Sequence, residues 1–167
     1  MVNKMKYGKV AVGGTFDFLH DGHKAILGKA FELGEKVQIG IVSDQKNLEK
    51  DSAGIRPLEE REKDLEEFLK DQGWRSRAEI ETISDPVGST AESNELEAIV
   101  VSEETRPGAE KINEIRSEKG LNPLDIIEIP FVFADDGKPI SSIRIRYGEI
   151  DEHGNIEKEE KKISDYG

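Results

Sequence analysis

Short apolar runs alternate with longer amphipathic segments along the chain. Runs rich in β-branched residues predict strands, and apolar residues spaced three and four apart predict helices. The predicted strands lie at 9–13, 36–42, 78–83, 96–101 and 124–134. The predicted helices lie at 22–34, 57–72 and 105–120, with a short one over 141–148. The charged stretch from 149 to the end is predicted to be partly disordered.

This order of elements predicts an α/β fold. Strands that alternate with helices are joined by right-handed crossovers, which favours a doubly wound, five-stranded parallel sheet. A chain of 167 residues is long enough for one core, so we expect a single domain. The domain is expected to occupy residues 1–154, followed by a charged C-terminal tail over 155–167.

The first strand gives way to the first helix in a stretch rich in glycine and histidine. Ligands of α/β proteins bind at the carboxyl ends of the strands, and a helix N-terminus there suits phosphate. Gly14 lets the backbone approach a ligand, and Thr15 offers a hydroxyl. His20 and His23 are three residues apart, so their imidazoles share a face and can donate to phosphate oxygens. The stretch predicts a phosphate site.

Other polar loops are expected at the same edge of the sheet. Two serines at the start of the short last helix offer hydroxyls and free amides, and arginine binds phosphate through two N–H groups. One serine is expected to cap that helix, and one of two arginines to face the site. Two acidic residues after strand four either border the base or ribose of a bound nucleotide or simply belong to a charged surface. These residues are Lys46 (with Lys50 as the alternative), Glu103, Glu104, Ser141, Ser142, Arg144 and Arg146.

Two motifs carry a resemblance to a known superfamily. Gly14-Thr15-Phe16-Asp17, followed by His20-Asp21-Gly22-His23, resembles the first signature of the nucleotidyltransferases. The segment 140–146 resembles their second motif, Ile-Ser-Ser-Thr-x-x-Arg, except that Ile143 stands where the motif has threonine and so offers no hydroxyl. Residues 100–105, 109, 112–113 and 141–151 extend the likeness to phosphopantetheine adenylyltransferases of archaeal type. The resemblance spans residues 8 to 154.

The resemblance implies a Rossmann-like sheet and an activity. The family moves the adenylyl group of ATP to 4′-phosphopantetheine by direct in-line attack, which gives dephospho-CoA and pyrophosphate in coenzyme A biosynthesis. It implies that His23 donates to the α-phosphate and that Thr15 places the attacking phosphate. Mg²⁺ would bridge phosphate oxygens with few protein ligands. The expected ATP ligands are Gly14, Thr15, His20, His23, Glu104, Ser141, Ser142 and Arg146. From its place in the loop after strand two, Lys46 is expected to join His23 in catalysis and Thr15 in substrate binding, with a solvated loop lysine as the alternative interpretation.

The amino-acid composition excludes several classes of binding partner and site. The formal net charge of -12 argues against binding to nucleic acid or to an anionic membrane, because both need a basic field. There is no cysteine, which excludes disulfides, a thiolate nucleophile and a cysteine-based zinc site. No apolar run has the length of a membrane span, and no secretory signal is recognisable, so we expect a cytoplasmic protein. ATP and 4′-phosphopantetheine are the expected partners, and the oligomeric state is left open.

Three other interpretations stay open at this point. A cytidylyltransferase or FAD synthetase would share the first motif but typically carries Arg-Thr-x-Gly-Ile-Ser-Thr-Thr near the second, where this chain has Lys138-Pro139 before the serines. A non-catalytic nucleotide-binding module is disfavoured because both histidines and the Ser-Ser-x-x-x-Arg element are intact. A zinc protein using His20 and His23 is disfavoured because both lie at a glycine-rich turn.

Overall fold

The computed structural model describes residues 5–44, 55–84 and 88–156. Its strands are β1 Tyr7–Gly14, β2 Gly34–Val42, β3 Ala78–Ile83, β4 Ala98–Val101 and β5 Asp125–Glu128. Its α-helices are α1 Asp21–Leu33, α2 Leu58–Gln72, α3 Arg106–Glu118 and α4 Ser142–Arg146. Short 3₁₀ helices occupy Arg75–Arg77 and Gly88–Ala91.

The strands form one parallel sheet in the order β3-β2-β1-β4-β5. The chain builds outward from β1 through β2 to β3, then returns to the other side of β1 to add β4 and β5. The direction of building therefore reverses between β1 and β4. In open α/β sheets, ligands bind in the crevice at the carboxyl ends of the strands where this reversal occurs. The predicted doubly wound, Rossmann-like sheet is confirmed.

The sheet is covered on both faces because neighbouring strand residues point in opposite directions. Val10 and Val12 of β1 pack into a core with α1 and α2, whereas Ala11 between them belongs to a second core with α3. Trp74, just after α2, stacks on Phe31 of α1 with ring centroids 4.8 Å apart, which closes the first core.

Most element boundaries lie within a few residues of the prediction, and two of the differences have a clear structural cause. Helix α1 passes into β2 without a loop, because Gly34 ends the helix in an extended conformation and already pairs with Tyr7. Strand β5 ends at Glu128 rather than at 134. It pairs only with the four-residue β4, and Pro130 has no N–H with which to extend the ladder. The apolar residues that follow leave the sheet, and Phe133 forms an isolated antiparallel bridge with Pro139.

The prediction of disorder from residue 149 onward is wrong for residues 149–156. Ile150 is 1% exposed and packs with Ala134 and Ile140 in a small core of its own. The backbone is also tied down, since Asp135 N–H donates to the Gly154 carbonyl at 2.9 Å and Asp21 N–H donates to the Glu152 carbonyl at 2.9 Å. Residues 157–167, which hold most of the predicted tail, lie outside the described residues.

Two glycines offer a matched test of this packing. Gly154 has φ +82°, and a Cβ there would lie 2.8 Å from the Cα of Ala134. Gly120 has φ +77°, but nothing lies within 4 Å of its would-be Cβ. Both substitutions by alanine carry the cost of a left-handed residue, roughly 1–2 kcal/mol. We expect Gly154→Ala to cost at least about 1 kcal/mol more, because only it adds a clash.

Urea unfolding of both variants and the parent chain measures this difference. Equal losses of stability would show that residues 149–156 do not pack against the segment around Ala134.

Candidate active site

The loop between β1 and α1 lies at the carboxyl edge of the sheet, where the topology places a ligand crevice. Its histidines shape the start of α1. His20 is the N-cap, and its Nδ1 accepts hydrogen bonds from the N–H groups of Gly22 at 3.0 Å and His23 at 3.3 Å. In return, the Nδ1 of His23 accepts from the N–H of His20 at 3.3 Å. Two imidazoles thus make a reciprocal capping box, a role that serine and glutamate side chains usually fill.

This cap determines which ring nitrogen of each histidine can form a hydrogen bond with a ligand. Because both Nδ1 atoms accept from backbone N–H groups, the hydrogen-bond pattern puts the proton of each neutral ring on Nε2. The rings of His20 and His23 stack with centroids 3.7 Å apart and planes 16° apart. A Cβ at Gly22 would lie 2.8 Å from Cε1 of His20, so the ring leaves no room for a side chain there. The site therefore holds two nearly parallel rings, each with an Nε2–H donor that no hydrogen bond among the described residues uses.

The environment keeps both rings neutral at physiological pH. Burial lowers the pKa of His20 to about 4, and His20 is only 6% exposed. Desolvation, followed by repulsion from His20, lowers the pKa of His23 well below its ordinary value. A charged imidazole could not accept the capping N–H bonds at Nδ1, which agrees with this direction. The histidines are therefore neutral hydrogen-bond donors rather than cations.

Asp17 joins the two sequence motifs. It is 0% exposed, and its carboxylate accepts from Nε of Arg56 at 2.9 Å and from Nη1 of Arg146 at 3.0 Å. Its backbone carbonyl accepts from Oγ of Ser142 at 2.6 Å. The first motif, after β1, and the second motif, at α4, are thus in direct contact. The structure therefore brings together two motifs that were expected at the same edge of the sheet, and their binding of phosphate stays a prediction.

The residues on either side of Asp17 have unusual backbone conformations. Phe16 has φ 53° and Phe18 has φ 47°, both in the left-handed region that bulky side chains rarely adopt. Phe16 packs in the core beside His23, with ring centroids 5.3 Å apart. The Arg56 guanidinium lies over the Phe18 ring, 4.7 Å from its centroid. Backbone strain of this kind persists where surrounding contacts fix it, and it clusters at functional sites.

The last helix separates the roles of its paired residues. Ser141 is the N-cap of α4 and accepts from the N–H of Arg144 at 3.3 Å, so the prediction that one serine caps the helix is confirmed. Arg146 lies against Asp17, whereas Arg144 pairs with Asp136 and Glu149 at the surface. The structure thus brings Ser142 and Arg146, but not Arg144, to the loop after β1. Ile143, at the position of the motif threonine, is 56% exposed.

The other predicted residues are placed as follows. Gly14 ends β1, and Thr15 follows it, partly exposed. Glu103 and Glu104 are exposed in the turn after β4, at the same edge of the sheet. Their binding roles stay predictions. Lys46 and Lys50 lie outside the described residues.

Sequence reasoning missed the buried charges that hold the site. Arg61 breaks the apolar stripe of α2, yet it is 0% exposed and donates to the carbonyls of Thr15, Val42 and Arg56. Arg56 connects Asp17 to Asp64. Its Nη2 lies 2.9 Å from Oδ2 of Asp64, and the two groups form an ion pair without hydrogen-bond geometry. The available signal was the position of Arg61 itself, because an arginine within an apolar stripe is placed for burial.

Neither a metal-binding cluster nor a membrane-spanning helix is present among the described residues. Within 5–44, 55–84 and 88–156, no group of three or more His, Asp or Glu side chains is arranged to hold a metal ion. None of the helices in these ranges combines the length and apolarity that a membrane crossing requires.

Comparison with known proteins identifies the family. Residues 11–148 match the family model described as cytidylyltransferase-like. A Pyrococcus furiosus protein named phosphopantetheine adenylyltransferase is 52% identical over 160 residues, covering 95% of this chain and 99% of that protein. A protein of the same name from Methanothermobacter thermautotrophicus is 50% identical over 153 residues, covering 92% of each chain.

A solved structure supports the fold. The crystal structure of an Archaeoglobus fulgidus protein of unknown function aligns with a TM-score of 0.66 and 34% identity, over 72% of this chain and 88% of that one. The family match covers both motifs that meet at Asp17. The chain therefore belongs to the cytidylyltransferase-like family and, within it, to the phosphopantetheine adenylyltransferases.

Proposed function

We propose that this protein transfers the adenylyl group of ATP to 4′-phosphopantetheine, giving dephospho-CoA and pyrophosphate. The relatives that carry this name cover more than nine-tenths of the chain. The observation that carries the proposal is the contact of the two motifs at Asp17, which gathers two imidazoles, a serine and an arginine beside the crevice between β1 and β4. This gives a cluster of phosphate donors at the edge of the sheet where α/β proteins bind nucleotides.

The reaction needs positioning more than acid–base chemistry. An oxygen of the 4′-phosphate attacks the α-phosphorus of ATP in line and forms the new P–O bond. The bond from that phosphorus to the oxygen bridging the β-phosphate breaks, and pyrophosphate leaves with the electron pair. A phosphate monoester is already an anion, so no base has to remove a proton. Catalysis then consists of aligning the two phosphates and stabilising charge in the transition state.

The chain's own groups suit these tasks. The Nε2–H of His23 donates to the α-phosphate as its negative charge grows, and that of His20 donates to the neighbouring phosphates. Donors that are already aimed at the developing charge stabilise it without any reorganisation at the moment of reaction. Arg146 holds the terminal phosphates together with the first amides of α4 and the hydroxyl of Ser141, which accepts from Arg144 N–H and so keeps its own proton for a ligand. Ser142 contributes its backbone N–H, because its hydroxyl proton is donated to the Asp17 carbonyl. Thr15 positions the attacking phosphate, and the neighbouring Gly14 lets the backbone come close to it.

Mg²⁺ fits this arrangement as part of the nucleotide. Magnesium usually keeps several waters and binds through one or two carboxylates and substrate phosphates, so it does not need a protein cage. The buried carboxylate of Asp17 is already paired with two arginines, and the described residues contain no cluster of three metal ligands. Bound in this way, the ion would neutralise charge on the phosphates during transfer.

Substrate comparison tests the proposed function. Pyrophosphate release with ATP and 4′-phosphopantetheine should exceed release with ATP and pantetheine by at least about 100-fold, because only the former carries the attacking phosphate. Pyrophosphate release is also measured with CTP in place of ATP. This comparison distinguishes adenylyl transfer from cytidylyl transfer. ATP binding without pyrophosphate release would contradict the proposal and favour a nucleotide-binding module.

A second prediction concerns the donor on the α-phosphate. His23→Ala should lower kcat by at least about 100-fold, the scale of losing one transition-state donor. His153→Ala is the matched control, because His153 is the third histidine, is exposed, and among the described residues its ring is bonded to Asp21 rather than to either motif histidine. We expect that control to stay within about twofold of the parent. Unchanged turnover in His23→Ala would remove His23 from the mechanism.

Neutral imidazoles also predict how stability changes with pH. His20 has a folded pKa of about 4 against an ordinary value of 6.5, so the unfolded chain takes up the proton first as the pH falls. Its contribution to stability is therefore complete above about pH 6.5 and is lost between there and pH 4. At pH 5 the loss from His20 amounts to about 2 kcal/mol.

His20→Asn isolates this effect, because asparagine still caps a helix but does not titrate. Urea unfolding at pH 7.5 and pH 5 should show a smaller acid destabilisation for His20→Asn than for the parent. The same loss in both proteins would mean that His20 does not fold in the neutral form.

A further inference from the structure

Arg61 is a buried arginine whose hydrogen bonds converge on the active-site edge. It belongs to the first turns of α2, and its side chain is 0% exposed. Its Nη1 donates to the carbonyls of Thr15 at 2.9 Å and Val42 at 2.8 Å. Its Nε donates to the carbonyl of Arg56 at 2.8 Å, and its Nη2 donates to Asp44 at 2.9 Å. One guanidinium thus joins the carboxyl ends of β1 and β2 to the start of α2.

The Thr15 carbonyl occupies a special place in the backbone. It belongs to the peptide bond that precedes Phe16, the first of the two left-handed residues. The Asp17 carbonyl, which accepts from Ser142, belongs to the peptide bond that precedes Phe18, the second one. Each unfavourable turn is therefore held through the carbonyl immediately before it. Arg61 fixes the first turn and Ser142 fixes the second.

We propose that Arg61 is a positioning residue for adenylyl transfer. By holding the Thr15 carbonyl, it maintains the left-handed turn at Phe16 and so sets where Thr15 and the Asp17 junction stand relative to the phosphates. Without that bond, the segment from Thr15 to Phe18 can relax toward ordinary backbone angles. This inference rests on the proposed function, because it assigns Arg61 to the same reaction without contact with the reacting atoms.

A second buried arginine separates this role from a general contribution to stability. Arg116 on α3 is 2% exposed and also holds carbonyls, donating to Asn122 at 2.8 Å, Thr90 at 2.9 Å and Ser93 at 2.6 Å. These carbonyls precede β4 and β5, at the opposite edge of the sheet from the histidines. Arg116 therefore has similar burial and similar bonds but lies far from the proposed chemistry.

The experiment compares Arg61→Lys with Arg116→Lys in the full chain. Lysine keeps the charge and loses the fork of donors that can hold several carbonyls. The measurements are kcat and KM for pyrophosphate release with ATP and 4′-phosphopantetheine, together with the affinity and stoichiometry of ATP binding by calorimetry. All are made well below both unfolding midpoints. Both variants should unfold at lower temperature than the parent.

Only Arg61→Lys should impair turnover. We expect kcat to fall by about 10- to 100-fold, the scale of a misplacement near 1 Å, with ATP stoichiometry unchanged. Arg116→Lys should stay within about twofold in kcat. A merely structural role would reduce the number of molecules able to bind, which calorimetry reports as a lower stoichiometry. Normal kcat in Arg61→Lys, or an equal loss in Arg116→Lys, would overturn the proposal.

The outcomes also separate this proposal from the proposed function. A parent protein that binds ATP but releases no pyrophosphate overturns both, whereas an active parent with an unaffected Arg61→Lys overturns only the role of Arg61. If Arg61→Lys does not fold, Asp44→Asn removes one charged partner of Arg61 and keeps an acceptor for Leu58 N–H, which Asp44 now caps at 2.8 Å. We then expect about a threefold loss of kcat, and an unchanged kcat would overturn the proposal.

Discussion

The buried carboxylate of Asp17 is the constraint on which the active-site edge depends. A charge removed from water is costly unless opposite charges and hydrogen bonds compensate for it. Asp17 obtains both from Arg56, 39 residues away along the chain, and from Arg146, 129 residues away. Both arginines must therefore be in place before the carboxylate can be buried. The loop after β1 and the last helix consequently assemble together.

The histidine capping box combines a structural and a chemical role in the same rings. Serine or aspartate at the N-cap would satisfy the first N–H groups of α1 but would present no N–H donor to the crevice. In His20 and His23 the Nδ1 atoms cap the helix, and the Nε2 atoms stay available. The cap also fixes the tautomer, which would otherwise be free to change. The geometry that begins α1 is thus the geometry that prepares the two donors.

Much of the fold could be predicted from the sequence, because periodic segments such as β2 and α2 show their burial in their own pattern. The left-handed end of α2 at Gly73 was likewise predictable. The end of β5 was not, since it depends on the shortness of the neighbouring β4. Ile150 was missed because one apolar residue in a charged stretch has no periodicity. Its burial depends on a partner surface that only the folded chain creates.

The site shows the same division. The residue types and spacing of the two motifs indicated phosphate binding and suggested that the motifs meet. The neutral state of the histidines could not be predicted, because it depends on burial and on which ring nitrogen the backbone uses. Arg61 and Arg56 were missed because the carbonyls and carboxylate that they satisfy come from distant segments. Charged residues in such roles look like surface residues until the tertiary contacts are known.

The direct passage of α1 into β2 has a mechanical consequence. At one end, the helix is fixed by the histidine cap, and at the other it continues into the internal strand β2 at Gly34, where an added Cβ would lie 2.7 Å from Val10. Leu27 and Phe31 anchor the middle of the helix in the core. Helix α1 is therefore held at both ends and in the middle, so it cannot shift or tilt independently of the sheet. Any movement that accompanies ligand exchange therefore has to come from the elements around α1. The two imidazoles, which lie at the start of this helix, keep their position during that movement.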